Sequence, residues 1–188
     1  MAVGYGSGAL ALIDPARHAI IRRIALPAHP EAFEIETTGR RAFVNLPGRH
    51  AIAVVDLATG GTVLRPAAHG QNFPMALSAG LLATGYRAPA RVVLTDAASG
   101  AVRQDLNGCG DTDDLFFDAR RGRLYVACGA GSVDVFASTG GTYASVGNVE
   151  TRPGARTAIF VPALDRLFVA ARAPMFGEAA ILVYRPSP

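Results

Sequence analysis

The sequence contains no tryptophan and no lysine, and only two cysteines in 188 residues. Without tryptophan it holds no repeat built on a Trp-Asp dipeptide. With no lysine, all eighteen basic residues are arginines. They are spread along the chain as singles and as pairs such as Arg22–Arg23, Arg40–Arg41 and Arg120–Arg121, mostly beside turns. The net charge of +3 is small. There is no basic stripe interleaved with aromatics, so no nucleic-acid partner is expected. No apolar run approaches the ~18–20 residues that a helix needs to span a bilayer. The N-terminal stretch MAVGYGSGALALID lacks the cationic start and long apolar segment of a signal peptide, and it reads as two strands.

Catalytic motifs are equally scarce. His18, His29, His50 and His69 have no metal-ligand spacing, no GxSxG occurs, and no Ser–His–Asp set can be justified. GlyTyrGlySerGly at 4–8 has the look of a phosphate loop. However, it leads into AlaLeuAlaLeuIleAsp, a strand pattern, whereas a dinucleotide fingerprint must open a helix. It is therefore read as a turn.

What the chain does have is apolar content and a repeat. Half its residues are apolar and 18% are charged, which is a globular composition. The segments DLATGG, DAASGA and FASTGG begin at Asp56, Asp96 and Phe136, 40 residues apart, and Asp14 lies 42 before Asp56. Between these turns, apolar and polar residues alternate in short runs broken by Gly-rich turns, the mark of antiparallel strands. A period of about 40 residues with four strands per unit predicts an all-β fold, a β-propeller of four-stranded antiparallel blades. Naming the strands of a unit a to d, the expected blades are 1–28, 29–68, 69–108, 109–149 and 150–188. The first blade lacks strand a and the last lacks strand d, so about four and a half blades are present. The aspartates before the c–d turns are expected to cap type I turns.

The segments AFVNLPGRHAIAVVDLATGG (42–61) and RLYVACGAGSVDVFASTGG (123–141) resemble the YVTN-type, YncE-like repeat of bacterial surface and periplasmic proteins. The resemblance covers nearly the whole chain. It implies a periplasmic or secreted protein with a secretion signal and about seven blades, for which roughly 300 residues are needed. By that measure this chain would be the C-terminal part of such a protein, or a gene fragment without independent function. Its ring would then be an incomplete, open arc that self-associates through bare blade edges. The alternative is a tight four-blade ring in which strand a of the last unit completes the first blade.

In a propeller the d–a loops converge on one mouth of the channel, and such loops carry binding. The repeat phase puts Glu31, Phe73, Asp113 and Arg156 at nearly equivalent positions there, with Asn72 one residue earlier and Asp114 in the densest acid cluster, AspThrAspAsp at 111–114. These six are the candidate ligand-binding residues of a non-enzymatic binding or scaffold protein. Oxygens of Glu31, Asn72 and Asp113 could hold a hard cation such as Ca²⁺. Lactonase-type propellers place their metal similarly, so a metal-dependent hydrolase is the second reading. The competing reading of the same acids is solvation or pairing with Arg156. Cys109, in a d–a loop, and Cys128, ending strand b, fall on the same face of one blade. A bridge requires the loop to fold back until the Cα atoms lie within ~7 Å; otherwise they are two separate thiols.

Overall fold

The computed structural model describes residues 1–187, which form eighteen strands in five antiparallel sheets with no α-helix. Blade 1 is β1 (Ala2–Tyr5), β2 (Ala9–Asp14) and β3 (Ala19–Ala25). Blade 2 is β4 (Phe33–Ile35), β5 (Arg41–Leu46), β6 (Ala51–Asp56) and β7 (Thr62–Pro66). Blade 3 is β8 (Gly70–Ser78), β9 (Leu81–Ala88), β10 (Ala90–Asp96) and β11 (Val102–Asn107). Blade 4 is β12 (Thr112–Asp118), β13 (Arg123–Cys128), β14 (Ser132–Thr139) and β15 (Thr142–Glu150). Blade 5 is β16 (Thr157–Val161), β17 (Arg166–Ala171) and β18 (Ala180–Tyr184). Each sheet is a meander with neighbours in sequence order. Among the described residues β16 pairs only with β17, so it does not complete blade 1 and the four-blade closure does not form.

The turns follow from their residues. The Asp56 carboxylate accepts the amides of Ala58 and Thr59 at 3.0 and 2.8 Å. Asp96 does the same for Ala98 and Ser99, and Asp14 for Ala16 and Arg17. The amides of Thr59 and Ser99, foremost among these bonds, hold the carboxyls of Asp56 and Asp96 below the usual carboxylate range. Blade 4 departs from this pattern. The register places Ala137, not Phe136, opposite Arg123, as Asp56 stands opposite Arg41. With no aspartate there, Gly140 and Gly141 at positive φ close a tight hairpin between Thr139 and Thr142.

The blades are held to one another by apolar side chains on facing strands. Leu10 and Ile24 of blade 1 meet Val44, Ala53 and Val55 of blade 2. Phe43 and Ile52 of blade 2 meet Met75 and Leu82 of blade 3. Val92 and Leu94 of blade 3 meet Leu124, Val126 and Phe136 of blade 4. Tyr125 and Val133 of blade 4 meet Phe160, Leu167 and Val169 of blade 5. The b strands of the middle blades are buried on both faces, whereas the d strands are mostly exposed. This gradient fixes the a strands as the inner wall: β4 packs on β8, β8 on β12, and β12 on β16.

Candidate functional site

The starts of the inner strands carry a cluster that three blades build together. In β8 the register breaks between Asn72 and Met75, and in β12 between Thr112 and Asp114, so Phe73 and Asp113 both stand at bulges that take them out of the ladder. Arg87, near the end of β9, lies over the Phe73 ring at 3.8 Å. Its guanidinium donates to the Thr112 carbonyl at 2.7 Å and to the Asp113 carboxylate at 2.5 Å, and stands 3.3 Å from Asp111. Arg156 of blade 5 donates to Asp111 at 2.6 Å and approaches Asp113 at 3.5 Å. The Asp111 carboxylate, foremost, holds the Arg156 guanidinium above its usual pKa. Arg87 is a largely covered hub at 15% exposure, while Arg156 is open to solvent at 42%. Such a cluster sets paired charges of both signs around a half-buried aromatic ring.

Asp111 reaches this cluster because its backbone adopts a positive φ of 57° and because position 129 is glycine. A Cβ on Gly129 would overlap the Asp111 carboxylate. The loop is also tied covalently. Its backbone extends the ladder, with the amides of Gly129 and Ala130 donating to the carbonyls of Asp111 and Gly110. It then turns back, and Cys109 and Cys128 form a disulfide with a Cα–Cα distance of 5.9 Å. The bulge at Asp113 shifts the register by one, so that Cys128 faces Thr112 rather than Asp113.

The six sequence candidates divide four ways. Phe73, Asp113 and Arg156 share the Arg87 cluster. Asn72 is fully buried. Its amide nitrogen donates to Asn45 Oδ1 and to the Ala51 carbonyl, both at 2.9 Å, so it joins blade 3 to blade 2 beneath the mouth and is not open to a ligand. Asn45 in turn donates to the Phe73 carbonyl. Glu31 lies 3.6 Å from His29. The proposed cation ligands thus stand apart: Asp113 is held by arginine, Asn72 is enclosed in the interior with its Oδ1 unpartnered, and Glu31 lies beside a histidine. Among the described residues no group of three or more His, Cys, Asp and Glu stands together as a metal site. Arg87 and Asp111, central to the cluster, were not among the candidates. Position 87 lies on a b strand, outside the loops that the repeat phase singles out.

Asp114, the sixth, turns away from the mouth into the inner wall. Its carboxylate accepts the Ala158 amide of β16 at 2.8 Å. Farther along the wall Glu34 of β4 lines the same cleft, of about 390 Å³, with residues of β8, β12 and β16. Burial pushes the Glu34 carboxyl up to about 7. Burial, aided by the neighbouring Asp113 charge, pushes Asp114 up to about 6.

No family model matches the sequence, and no match is found among curated proteins. Solved structures do share the fold. A chain in the crystal structure of the mitotic checkpoint complex superposes with a TM-score of 0.79 at 14% identity, covering 90% of this chain and 55% of that one. A chain of Kuenenia stuttgartiensis hydrazine synthase does so with a TM-score of 0.73 at 17% identity, covering 89% of this chain and 57% of that one. This chain therefore spans little more than half the length of either. At these identities the likeness is one of fold alone, a β-propeller.

Proposed function

We propose that this chain is a non-enzymatic binding module that engages a small molecule or a protein surface through the d–a loop face. The observation that carries this reading is the Arg87 cluster, which gathers Phe73, Asp111, Asp113 and Arg156 from three blades at one mouth. A metal-dependent lactonase-like activity is disfavoured because Asp113, one of its three candidate ligands, is already paired with two arginines. The two readings separate in a melting experiment. The binding module should unfold at the same temperature, within about 1 °C, in millimolar Ca²⁺ and in EDTA. A calcium-dependent rise would overturn the non-enzymatic reading.

Kinship with the YVTN-type repeat and an exported location belong to the same proposal. The Cys109–Cys128 bridge supports the location, since disulfides persist in oxidising compartments. Among the described residues no helix is long and apolar enough to cross a membrane.

Self-association is the second part of the reading. Ile159, Ile181 and Val183 on blade 5 are each more than half exposed, and β18 is an edge strand. Sedimentation velocity on this chain should show a dimer or larger species whose fraction grows with concentration. A monomer at all concentrations would remove this part.

A further inference from the structure

We propose that the cleft on the inner wall binds a small organic cation with an apolar body, its charge held between Glu34 and Asp114. The cleft does not depend on the mouth reading. Its lining reaches Ser78 at the end of β8 and Pro162 just beyond β16, toward the a–b turns, whereas the mouth cluster sits at the strand starts.

Four blades contribute to its wall: Glu34 from β4, Met75 and Leu77 from β8, Asp114 and Phe116 from β12, and Phe160 from β16. None of the lining residues is an arginine, lysine or histidine. Among the described residues neither carboxyl takes part in an ion pair, and the Glu34 carboxyl accepts no hydrogen bond, its residue being held only through the ladder with Phe43. Half-buried Asp134 likewise forms no ion pair among the described residues, whereas other aspartates do. Asp105, Asp111, Asp113, Asp118 and Asp165 are each matched by an arginine. An uncompensated carboxyl in apolar surroundings is costly to hold. A cation seated between the two would compensate both, and aromatic rings beside it add attraction. An anion would meet two negative charges and no donor of positive charge, and a bare metal ion would find only two carboxylates where hard cations take six or more oxygens. The volume is near the lower end for small-molecule sites, roughly 300–1,000 Å³.

Binding should depend on pH, and its sign follows from the groups in the cleft. Sharing the cleft with Glu34 are Met75, Leu77 and Ser78 of β8 and Asp114 of β12; opposite it on β5 is Phe43, on whose ring lie Arg65 and Arg41, the latter paired with Glu36. Facing Asp114 are the Ala158 amide of β16 and Ala127 of β13, with Asp113 as the adjacent charge; Arg87 and Arg156 are bound to Asp113. Among the described residues no arginine pairs with either carboxyl. With carboxyls that take up protons below about 7 and about 6, the cleft is negative at pH 8 and neutral at pH 5. A cation should bind the former.

The test uses phenethylammonium, which stays protonated across this range, against phenethyl alcohol and phenylacetate in calorimetric titrations of this chain. The expected result is that the cation binds at least about tenfold more tightly than either analogue at pH 8 and weakens at least about tenfold at pH 5. The pair Glu34→Gln and Asp114→Asn should abolish the preference. Asn keeps an oxygen for the Ala158 amide. Glu34→Gln also reports on folding. A raised carboxyl pKa means that stability is fully present below the unfolded value near 4.5 and is lost as pH rises through about 7. The single variant should therefore melt above the parent at pH 8 and with it at pH 4. Equal binding of the alcohol, no binding of the cation, pH-independent binding, or a preference that survives the double substitution in a folded protein would each overturn the proposal.

Discussion

Opening the Cys109–Cys128 bridge is expected to destabilise the chain by about 3 kcal/mol, the chain-entropy value for a loop of this length. The bridge spans a sequence separation of 19. In a chain of this size such a loss lowers the melting temperature by roughly 6–12 °C. Thermal unfolding of the Cys109→Ala, Cys128→Ala double variant, or of the reduced protein, measures it. The effect should also be local. The bridge anchors the loop that presents Asp111 and Asp113, so amide exchange at residues 109–114 should accelerate more than in blade 2. An unchanged melting temperature would mean that the ladder bonds from Gly129 and Ala130 alone hold the loop.

Phe136→Ala is expected to cost about 3–5 kcal/mol, the range for emptying a buried phenylalanine site. Phe136 is buried on strand c of blade 4 among Val92 and Leu94 of blade 3 and Leu124 and Val126 of its own blade. Both neighbouring sheets are pinned by their hydrogen-bond ladders, so little collapse into the cavity is available. In a stacked array each blade contacts chiefly its neighbours. Exchange protection should therefore fall first in blades 3 and 4. Denaturant titration gives the magnitude, and a loss below about 1 kcal/mol would place this residue outside a packed interface.

The strand count was legible because two sequence signals agree: alternation within strands, and Asp- or Gly-bearing turns between them. The signal misled where a turn changed chemistry. Phe136 aligns with Asp56 and Asp96 in the repeat, yet the Gly140–Gly141 hairpin shifts the structural register to Ala137. The repeat phase also located the mouth, and three of its six residues meet there. It did not reveal Arg87, whose role depends on a strand end lying beside the next blade's loop, a relation absent from local sequence. Nor did it show that Asn72 is turned inward by its bulge to Asn45 and Ala51. Glu34 sat in view, an acid in the alternating run PheGluIle. Only the packing of four a strands shows that it faces a cleft without a counter-charge.

Binding at the d–a loop face can be mapped residue by residue. The most direct measurement is amide chemical-shift mapping of the ¹⁵N-labelled chain against a library of small anionic and neutral aromatic fragments. The strongest perturbations are expected on Phe73, Arg87, residues 111–113 and Arg156. Perturbations confined to the outer strands β7, β11 and β15, or scattered without a shared face, would contradict it.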